Sequence, residues 1–302
     1  MKKFLYLVQG TDSLVKDYFF LKKRKSSDLL ASTYNQPLEG AFHFEGTTWA
    51  EGRNLLLKKA MDLEKEYDYY IFLDDDIRFH RGGYDVFEEQ LTRLNPAVAV
   101  PVFLPKTTHS VIGFGVSFYN KLFMPFRNYQ ICHLADGQFL AFHKDVIKDR
   151  LLMPLQNQFD SISWWFTSST QQLLVHNLYQ EHFLQFNNVS ITNESHREYT
   201  KNEYKDQQMH WFQQQFSVPL KDPRTHAVNL MSLQGLKYFF QHYQINDLGK
   251  TVVNFFGTIL ETLRYKKRNH HKLSPEKVES ILNIKSDLLK QYEAGKRITE
   301  DI

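Results

Sequence analysis

The sequence has little of what marks a secreted or a nucleic-acid-binding protein. It has one cysteine, Cys132, in 302 residues, which excludes an intramolecular disulfide framework and is typical of the reducing cytosol. Because free cysteine is among the most buried residue types, we interpret Cys132 as a small core residue. The formal net charge is only +3, so the composition gives no sign of the basic face that nucleic-acid binding requires. We therefore expect no nucleic-acid partner.

The sequence also lacks a long hydrophobic run. The apolar stretch near the N-terminus has only five residues before Gln9. That is too short for the central region of a signal peptide, and no small-residue cleavage site follows it. No other stretch approaches the roughly 18 apolar residues that span a bilayer. We therefore expect a soluble or peripheral protein in the cytoplasm, at most bound to the inner face of the membrane.

The composition supports a folded chain of mixed architecture. Hydrophobic residues make up 42% of the sequence and aromatic residues 15%, enough for a sizeable core. Strand-like and helix-like runs alternate up to about residue 145, which predicts an α/β fold with a parallel or mixed sheet flanked by helices. The predicted strands are residues 3–9, 29–34, 69–73, 97–102, 113–119 and 138–143, and the predicted helices are residues 14–25, 47–67 and 84–94.

Two helices carry clear end signals. Thr48 followed by Glu51 matches a capping box, in which each side chain satisfies a free amide of the first turn. In the C-terminal segment LSPEKVESILNIKSDLLKQYEAGK, Ser274 is placed to cap a helix whose apolar residues recur on one side. Strand signals stop near residue 223, so we divide the chain into an α/β domain, residues 1–220, and an all-helical appendage, residues 221–302.

The run YDYYIFLDDDIRFH, residues 67–80, places three aspartates directly after a strongly apolar strand. Ligands of open α/β sheets bind beyond the carboxyl ends of the strands, which is where Asp74, Asp75 and Asp76 lie. Side chains two apart on an extended chain project the same way, so we expect Asp74 and Asp76 to face one ligand while Asp75 turns aside. Carboxylates suit Mg²⁺ or Mn²⁺, and a bound cation would remove the repulsion within the triplet. The alternative is a solvated acidic turn that caps the next helix.

At this triplet the sequence resembles the glycosyltransferases of the GT-A fold. Their Asp-x-Asp motif ends a hydrophobic strand and binds a divalent metal, which holds the diphosphate of a nucleotide sugar. TTWAEGRNLLLKKA looks like the family's segment in which an Arg–Asn pair near a helix start contacts the donor. ADGQFLAFHKDVI resembles its turn beside the acceptor, and NNVSITNESHREYTKN its late metal-ligand element. The resemblance covers roughly residues 3–200 and implies a Rossmann-like mixed sheet, with the helical tail outside it.

The resemblance also implies roles for particular residues. The implied metal ligands are Asp74, Asp76 and His196; the donor contacts are Thr11, Asp12, Arg53, Asn54, Asp74 and Asp75; the acceptor contacts are Gly137, Trp164 and Trp165. Arg53 also suits pairing with the aspartates themselves, Thr11 or Asp12 a helix cap, and one of the tryptophans the core. With Mn²⁺ or Mg²⁺ as cofactor, the implied substrates are a nucleotide sugar, with a UDP-sugar expected first, and a glycan or lipid-linked acceptor.

The sequence departs from the family at the catalytic base. Many inverting members carry an acidic pair after a tryptophan in the acceptor region, whereas SISWWFTSSTQQLL has Ser168, Ser169 and Thr170 there. The remaining candidates for the base are Asp136 and Asp160. A retaining mechanism, which needs no strong base, stays open.

The segment TVVNFFGTILETLRYKKRNHHK has two interpretations. Val252, Phe256, Ile259 and Leu263 share one helical face, and a basic cluster follows. Such a helix suits an anionic membrane surface. It also suits packing on the catalytic domain or on a second copy of the chain, which is the interpretation that we prefer.

Three function classes follow from these patterns. The first is a metal-dependent glycosyltransferase of the hexosyltransferase type, as in surface polysaccharide synthesis. The second is a phosphohydrolase or phosphotransferase with an aspartate nucleophile; the haloacid-dehalogenase type requires Thr or Val two residues after the second aspartate, where this chain has Arg78. The third is a carbohydrate-binding protein that kept the fold without the activity, which the intact Asp74-x-Asp76 pattern argues against. The sequence favours the first class.

Overall fold

The computed structural model describes residues 3–103, 128–132, 137–148, 150–157, 160, 164–194, 260, 262–265 and 273–293. The strands within these residues are β1 (Phe4–Gly10), β2 (Ser27–Thr33), β3 (Phe42–His43), β4 (Tyr69–Asp74), β5 (Ile77–Arg81), β6 (Val98–Phe103), β7 (Tyr129–Ile131), β8 (Phe139–His143) and β9 (Phe183–Asn193). They form one sheet in the order β3-β2-β1-β4-β8-β6-β9-β5, with β7 also paired to β9.

Helices connect these strands. They are α1 (Asp12–Val15), a 3-10 helix (Lys16–Lys23), α2 (Trp49–Met61), α3 (Tyr84–Leu94), α4 (Lys144–Lys148), α5 (Trp164–Tyr179), a second 3-10 helix (Gln180–His182) and α6 (Pro275–Glu293). Among the helices described, none has the length and apolar character to cross a bilayer.

The sheet is mixed, and its parallel part brings several strand ends to one edge. Strand β1 runs parallel to both β2 and β4, with Gly10 opposite Thr33 and Gln9 opposite Asp74. Strand β8 runs antiparallel to β4, and the amide of Asp74 donates to the carbonyl of Gln138, 3.0 Å away, just before β8 begins. The carboxyl ends of β1, β2 and β4 and the start of β8 therefore meet at the same edge.

Both faces of this sheet are buried. In β1, Leu5 and Leu7 point into one core cluster, which helices α2, α5 and α6 cover, while Tyr6 and Val8 point into another, covered by the first 3-10 helix and α3. Strands covered on both faces read as continuous apolar runs rather than alternating ones. This explains why FLYLV and YYIFL are the most strand-like stretches of the sequence.

The predicted α/β class is confirmed, and so are helix α3 at its predicted bounds and the capping box of α2 formed by Thr48 and Glu51. The helix predicted at residues 14–25 is wrong in type, because most of it is 3-10. Its buried residues, Tyr18 and Leu21, are three apart, which is the spacing that shares a face in a 3-10 helix. The strand predicted at 29–34 begins earlier, at Ser27. The strand predicted at 113–119 lies outside the described residues.

Helix α6 packs on the α/β core. Ile281 is 1% exposed and belongs to the same core cluster as Leu5. Upstream of α6, the hydroxyl of Thr262 accepts a hydrogen bond from the amide of Ile131 at 3.1 Å, whereas Leu263 is 52% exposed. The described parts of the helical segment thus contact the sheet and the core, while the boundary near residue 220 lies outside the described residues and stays a prediction.

Candidate functional site

The three aspartates lie where the parallel strands end. Asp74 is the last residue of β4, and Asp75 and Asp76 form the turn into β5. Because of the sheet register, Gly10 and the start of β8 are their neighbours. This is the edge at which ligands of such sheets bind.

The carboxylate of Asp74 is held by two side chains of helix α2. Arg53 donates from Nη2 to Oδ1 of Asp74 at 2.7 Å, and the indole Nε1–H of Trp49 donates to the same oxygen at 3.0 Å. The other amino group of Arg53 donates to the carbonyl of Gly137 at 2.7 Å. One buried guanidinium therefore ties the end of β4 to the turn that enters β8.

Arg53 is itself enclosed, with 2% of its surface exposed. Its guanidinium lies 4.1 Å from the ring centroid of Trp49 and 5.5 Å from that of Phe72, distances at which a cation is attracted to an aromatic face. Arg53, which the sequence predicts as a contact of the sugar donor, is thus a buried side chain whose two amino groups donate to Asp74 and to Gly137. Of the two roles considered for Arg53, the geometry favours pairing with the aspartates.

The start of helix α2 is positioned by strand β1. The side-chain amide nitrogen of Gln9, Nε2, donates to the carbonyl of Thr48 at 3.2 Å. A Cβ on Gly52 would lie 2.4 Å from that nitrogen. Only glycine at position 52 therefore allows Gln9 to lie against the helix. Together with the capping box at Thr48, this contact sets where Trp49 and Arg53 emerge.

Asp75 turns toward strand β1. Its Oδ2 accepts from the amide of Thr11 at 2.6 Å and from the Thr11 hydroxyl at 3.2 Å. A Cβ on Gly10 would lie 2.0 Å from the same oxygen, so glycine is required there. Burial raises the pKa of Asp75. Thr11 and Asp75, both predicted to contact the sugar donor, are thus hydrogen-bonded to each other. Asp12, predicted for the same role, exchanges two hydrogen bonds with Asn35, at 3.0 and 2.9 Å.

Asp76 lies on the side of the triplet nearest strand β9. It is 8% exposed, and its carbonyl accepts from the amide of Glu194 at 3.0 Å. The chain that leads to His196 therefore passes next to Asp76. His196 itself lies outside the described residues, so its role as a metal ligand stays a prediction.

The carboxylates at this edge suit a divalent cation whose other ligands are phosphate oxygens of a substrate. In the described part of the chain no three His, Cys, Asp or Glu side chains are grouped to hold a metal, and the expected carboxylates are those of Asp74 and Asp76. Mg²⁺ in proteins is commonly held by one or two carboxylates together with substrate phosphates and water. The carboxylate of Asp74 at this edge therefore fits a divalent cation of that kind, and a ligand role for Asp76 stays a prediction.

Two predicted site residues make structural contacts instead. The Asn54 amide donates to the carbonyl of Leu155 at 2.8 Å and accepts from its amide at 2.7 Å, so it holds the loop before α5. Asp160, a candidate base, accepts from the hydroxyls of Thr48 and of Thr167, the latter at 2.8 Å. Burial raises the pKa of Asp160. Through these two hydrogen bonds, Asp160 links α5 to the start of α2.

The predicted acceptor side is described in part. A Cβ on Gly137 would lie 2.5 Å from the Ser168 hydroxyl and 3.2 Å from the Trp49 ring, so α5 and α2 both approach this turn. Trp164 and Trp165 begin α5, but their side chains lie outside the described residues, as does all of Asp136. Trp49 was missed by sequence reasoning, although its position four residues before Arg53, on the same helical face, was a usable signal.

The fold has counterparts among solved structures. No protein-family model and no curated protein matches the sequence. S. aureus TarS 1–349 in complex with UDP-GlcNAc is 10% identical, with 97% of this chain and 88% of that chain covered and a TM-score of 0.46. GalNAc-T7 with UDP, GalNAc and Mn²⁺ is 9% identical, with 89% of this chain and 59% of that chain covered and a TM-score of 0.51. At such identities the similarity is one of fold, and the chain has the GT-A fold of glycosyltransferases.

Proposed function

We propose that the protein is a metal-dependent glycosyltransferase that moves a hexose from a nucleotide sugar to a glycan or lipid-linked acceptor, as in surface polysaccharide synthesis. The observation that carries the proposal is the carboxylate of Asp74, held by buried Arg53 at the carboxyl edge of a GT-A sheet. GalNAc-T7 is described with UDP, GalNAc and Mn²⁺, so a UDP-sugar with Mn²⁺ is the first donor to test.

Each residue has a defined part in this proposal. Asp74 and Asp76 would hold Mn²⁺ or Mg²⁺, which when bound supplies the positive charge that neutralises the leaving diphosphate. Arg53 holds the carboxylate of Asp74 in place through the hydrogen bond from Nη2 to Oδ1 at 2.7 Å. Asp75 holds the turn against β1 through Thr11. The acceptor would approach from the side of Gly137 and the start of α5.

A donor-hydrolysis assay tests this function. Many transferases slowly pass the sugar to water, so the protein is incubated with a panel of nucleotide sugars, with and without Mn²⁺. We expect hydrolysis of at least one donor with Mn²⁺ present, lowered on the order of a hundredfold or more in Asp76→Ala, which removes charge stabilisation of the leaving group. Glu64→Ala, which removes an exposed carboxylate in the turn that follows α2, is the matched control and should act as wild type.

Two outcomes would end the proposal. One is that no nucleotide sugar is bound or hydrolysed and Asp76→Ala changes nothing, which would point to a binding protein that kept the fold. The other is hydrolysis of a generic phosphoester that Asp74→Asn abolishes, which is the behaviour of an aspartate nucleophile. The pairing of Asp74 with Arg53 and Trp49 suits a fixed ligand better than an attacking group.

A further inference from the structure

Trp49 makes two separate contacts with the groups that hold the acidic edge. Its indole N–H donates to Oδ1 of Asp74 at 3.0 Å, and its ring covers the guanidinium of Arg53 at 4.1 Å. One contact bonds Asp74 directly, and the other covers the cation that also bonds Asp74. We infer that Trp49 is a positioning residue for the proposed reaction, fixing the Asp74 carboxylate so that its second oxygen faces the cation and diphosphate; this rests on the proposed function.

The two donors to Asp74 act on one oxygen. Both Arg53 and Trp49 donate to Oδ1, and among the described residues no hydrogen bond is made to Oδ2. The two hydrogen bonds together set the rotation of the carboxylate, since either one alone would allow it to turn about its side-chain torsions. Oδ2 is thereby left with its full capacity as a ligand, because an ionised carboxylate accepts on both oxygens.

The ring contact acts through Arg53. The guanidinium has Trp49 on one side and Phe72 within 5.5 Å, and its amino groups bind Asp74 and the carbonyl of Gly137. Losing the indole would leave the planar cation with one aromatic neighbour and with room to move. The N–H and the ring face are therefore separable contributions, and a phenylalanine at position 49 removes the first while keeping much of the second.

The test compares wild type with Trp49→Phe by binding and by kinetics. Titration of Mn²⁺ in the presence of UDP, followed by the electron paramagnetic resonance of free Mn²⁺, gives an affinity without turnover. We expect binding roughly tenfold weaker in Trp49→Phe, the loss of one hydrogen bond to a charged acceptor. In donor hydrolysis we expect the Mn²⁺ dependence to shift to higher concentration by the same factor. Tyr67→Phe is the control, because it also removes one polar atom from a buried aromatic residue, in this case a bond to Asp28 at 2.8 Å.

A spectroscopic readout separates positioning from packing. The chain has four tryptophans, and the emission of Trp49, whose indole N–H is hydrogen-bonded to Asp74, should respond when that carboxylate binds a cation. We expect Mg²⁺ with UDP to change the emission of wild type, and Trp49→Phe to lose that change. If Trp49→Phe does not fold, the benzothiophene analogue of tryptophan at position 49 replaces it, since it keeps the two-ring shape and lacks the N–H.

The outcomes distinguish this inference from the proposed function. Mn²⁺–UDP binding by wild type that is unchanged in Trp49→Phe or in the analogue overturns the role of Trp49 and leaves the function standing. Absence of any Mn²⁺–UDP binding by folded wild type overturns both. Weaker binding in Trp49→Phe with wild-type binding in Tyr67→Phe supports the inference.

Discussion

Among the described residues, the arginine–carboxylate pairs Arg24–Glu88 and Arg53–Asp74 each have one buried member and lie on opposite faces of the sheet. In the first pair, both carboxylate oxygens of Glu88 accept hydrogen bonds. Oε1 accepts from the hydroxyl of Tyr6 at 2.8 Å, and Oε2 accepts from Arg24 at 2.8 Å and from Ser26 at 2.6 Å. This pair joins helix α3 to strand β1 and to the start of β2, and it is complete without a ligand.

The second pair is built differently. Among the described residues, Arg53 and Trp49 both donate to the same oxygen of Asp74, Oδ1. The side chain of Asp74 is 16% exposed, against 7% for Glu88. The carboxylate of an ion pair is therefore a candidate ligand when the protein bonds only one of its two oxygens and the other lies at a sheet edge.

The largest expected difference between the pairs is in activity. Asp74→Asn should lower Mn²⁺-dependent donor hydrolysis on the order of a hundredfold or more, because it removes charge where the transition state needs it. Glu88→Gln, the same chemical change in the other pair, should leave kcat/KM of the folded protein at the wild-type value. Steady-state kinetics on both variants checks this, and equal losses in the two would erase the distinction.

The next effect is on stability, where Glu88 should matter. Glu88→Gln removes the charge opposite Arg24, whose other carboxylate partner among the described residues is the exposed Asp85, and it weakens three hydrogen bonds. We expect the free energy of unfolding to fall by about 3 kcal/mol, at the lower end for breaking a buried pair. Urea denaturation at pH 7 measures it, with Asp85→Asn as the control that removes the exposed partner, for which a change of at most about 1 kcal/mol is expected.

Part of the site was predictable from sequence because parallel strands end at one edge. The apolar run before Asp74 and the capping box at Thr48 place β4 and α2 with local information only. The family resemblance assigns Arg53 and Asn54 together to the sugar donor, yet neighbours on a helix point about 100° apart. Arg53 therefore reaches Asp74 while Asn54 reaches Leu155.

Other contacts could not be predicted, because they depend on segments that are distant in sequence. The bond between Asp160 and Thr48 and the approach of Ser168 to Gly137 require α5 to dock on α2, and no local pattern encodes that docking. The missed strand β5 pairs with β9, more than a hundred residues later in the sequence. Local periodicity in IRFHR carries no signal for such a partner.

The ammonium group of Lys285 differs from both pairs, because it has no carboxylate partner among the described residues. Lys285 of α6 donates to the carbonyls of Arg150 at 3.0 Å and Leu151 at 3.1 Å, and burial lowers its pKa to about 8. The unfolded chain binds this proton more tightly than the folded one, so stability rises with pH from about 8 toward the unfolded pKa of about 10.4.

The expected size of this effect is up to about 2 kcal/mol between pH 7 and 9.5. It is measured as the difference in unfolding free energy between wild type and Lys285→Met at the two pH values, which cancels the other titrating groups. Lys290→Met, at an exposed position of the same helix, should show no such pH dependence. A wild-type curve parallel to that of Lys285→Met would mean that Lys285 is solvated.

The smallest expected effect concerns the start of the helix that carries Arg53. Thr48→Ala removes the side chain that accepts from the amide of Glu51 at 3.2 Å and donates to Asp160. The cost should be about 1 kcal/mol, smaller than that of breaking the Glu88 pair. Thermal unfolding checks it, and Thr48→Ser, which keeps the hydroxyl, should restore most of the loss.

The central claim is that the edge of the sheet at Asp74 and Asp76 binds a nucleoside diphosphate through a divalent cation. Calorimetric titration of UDP into wild type and Asp74→Asn, each with Mn²⁺ and with the metal chelated, tests it most directly. We expect binding to wild type with Mn²⁺ that weakens roughly tenfold or more, about 1.4 kcal/mol, when the metal is removed or Asp74 is replaced. Equal affinity in all four titrations, or no binding by folded wild type in any of them, would contradict the claim.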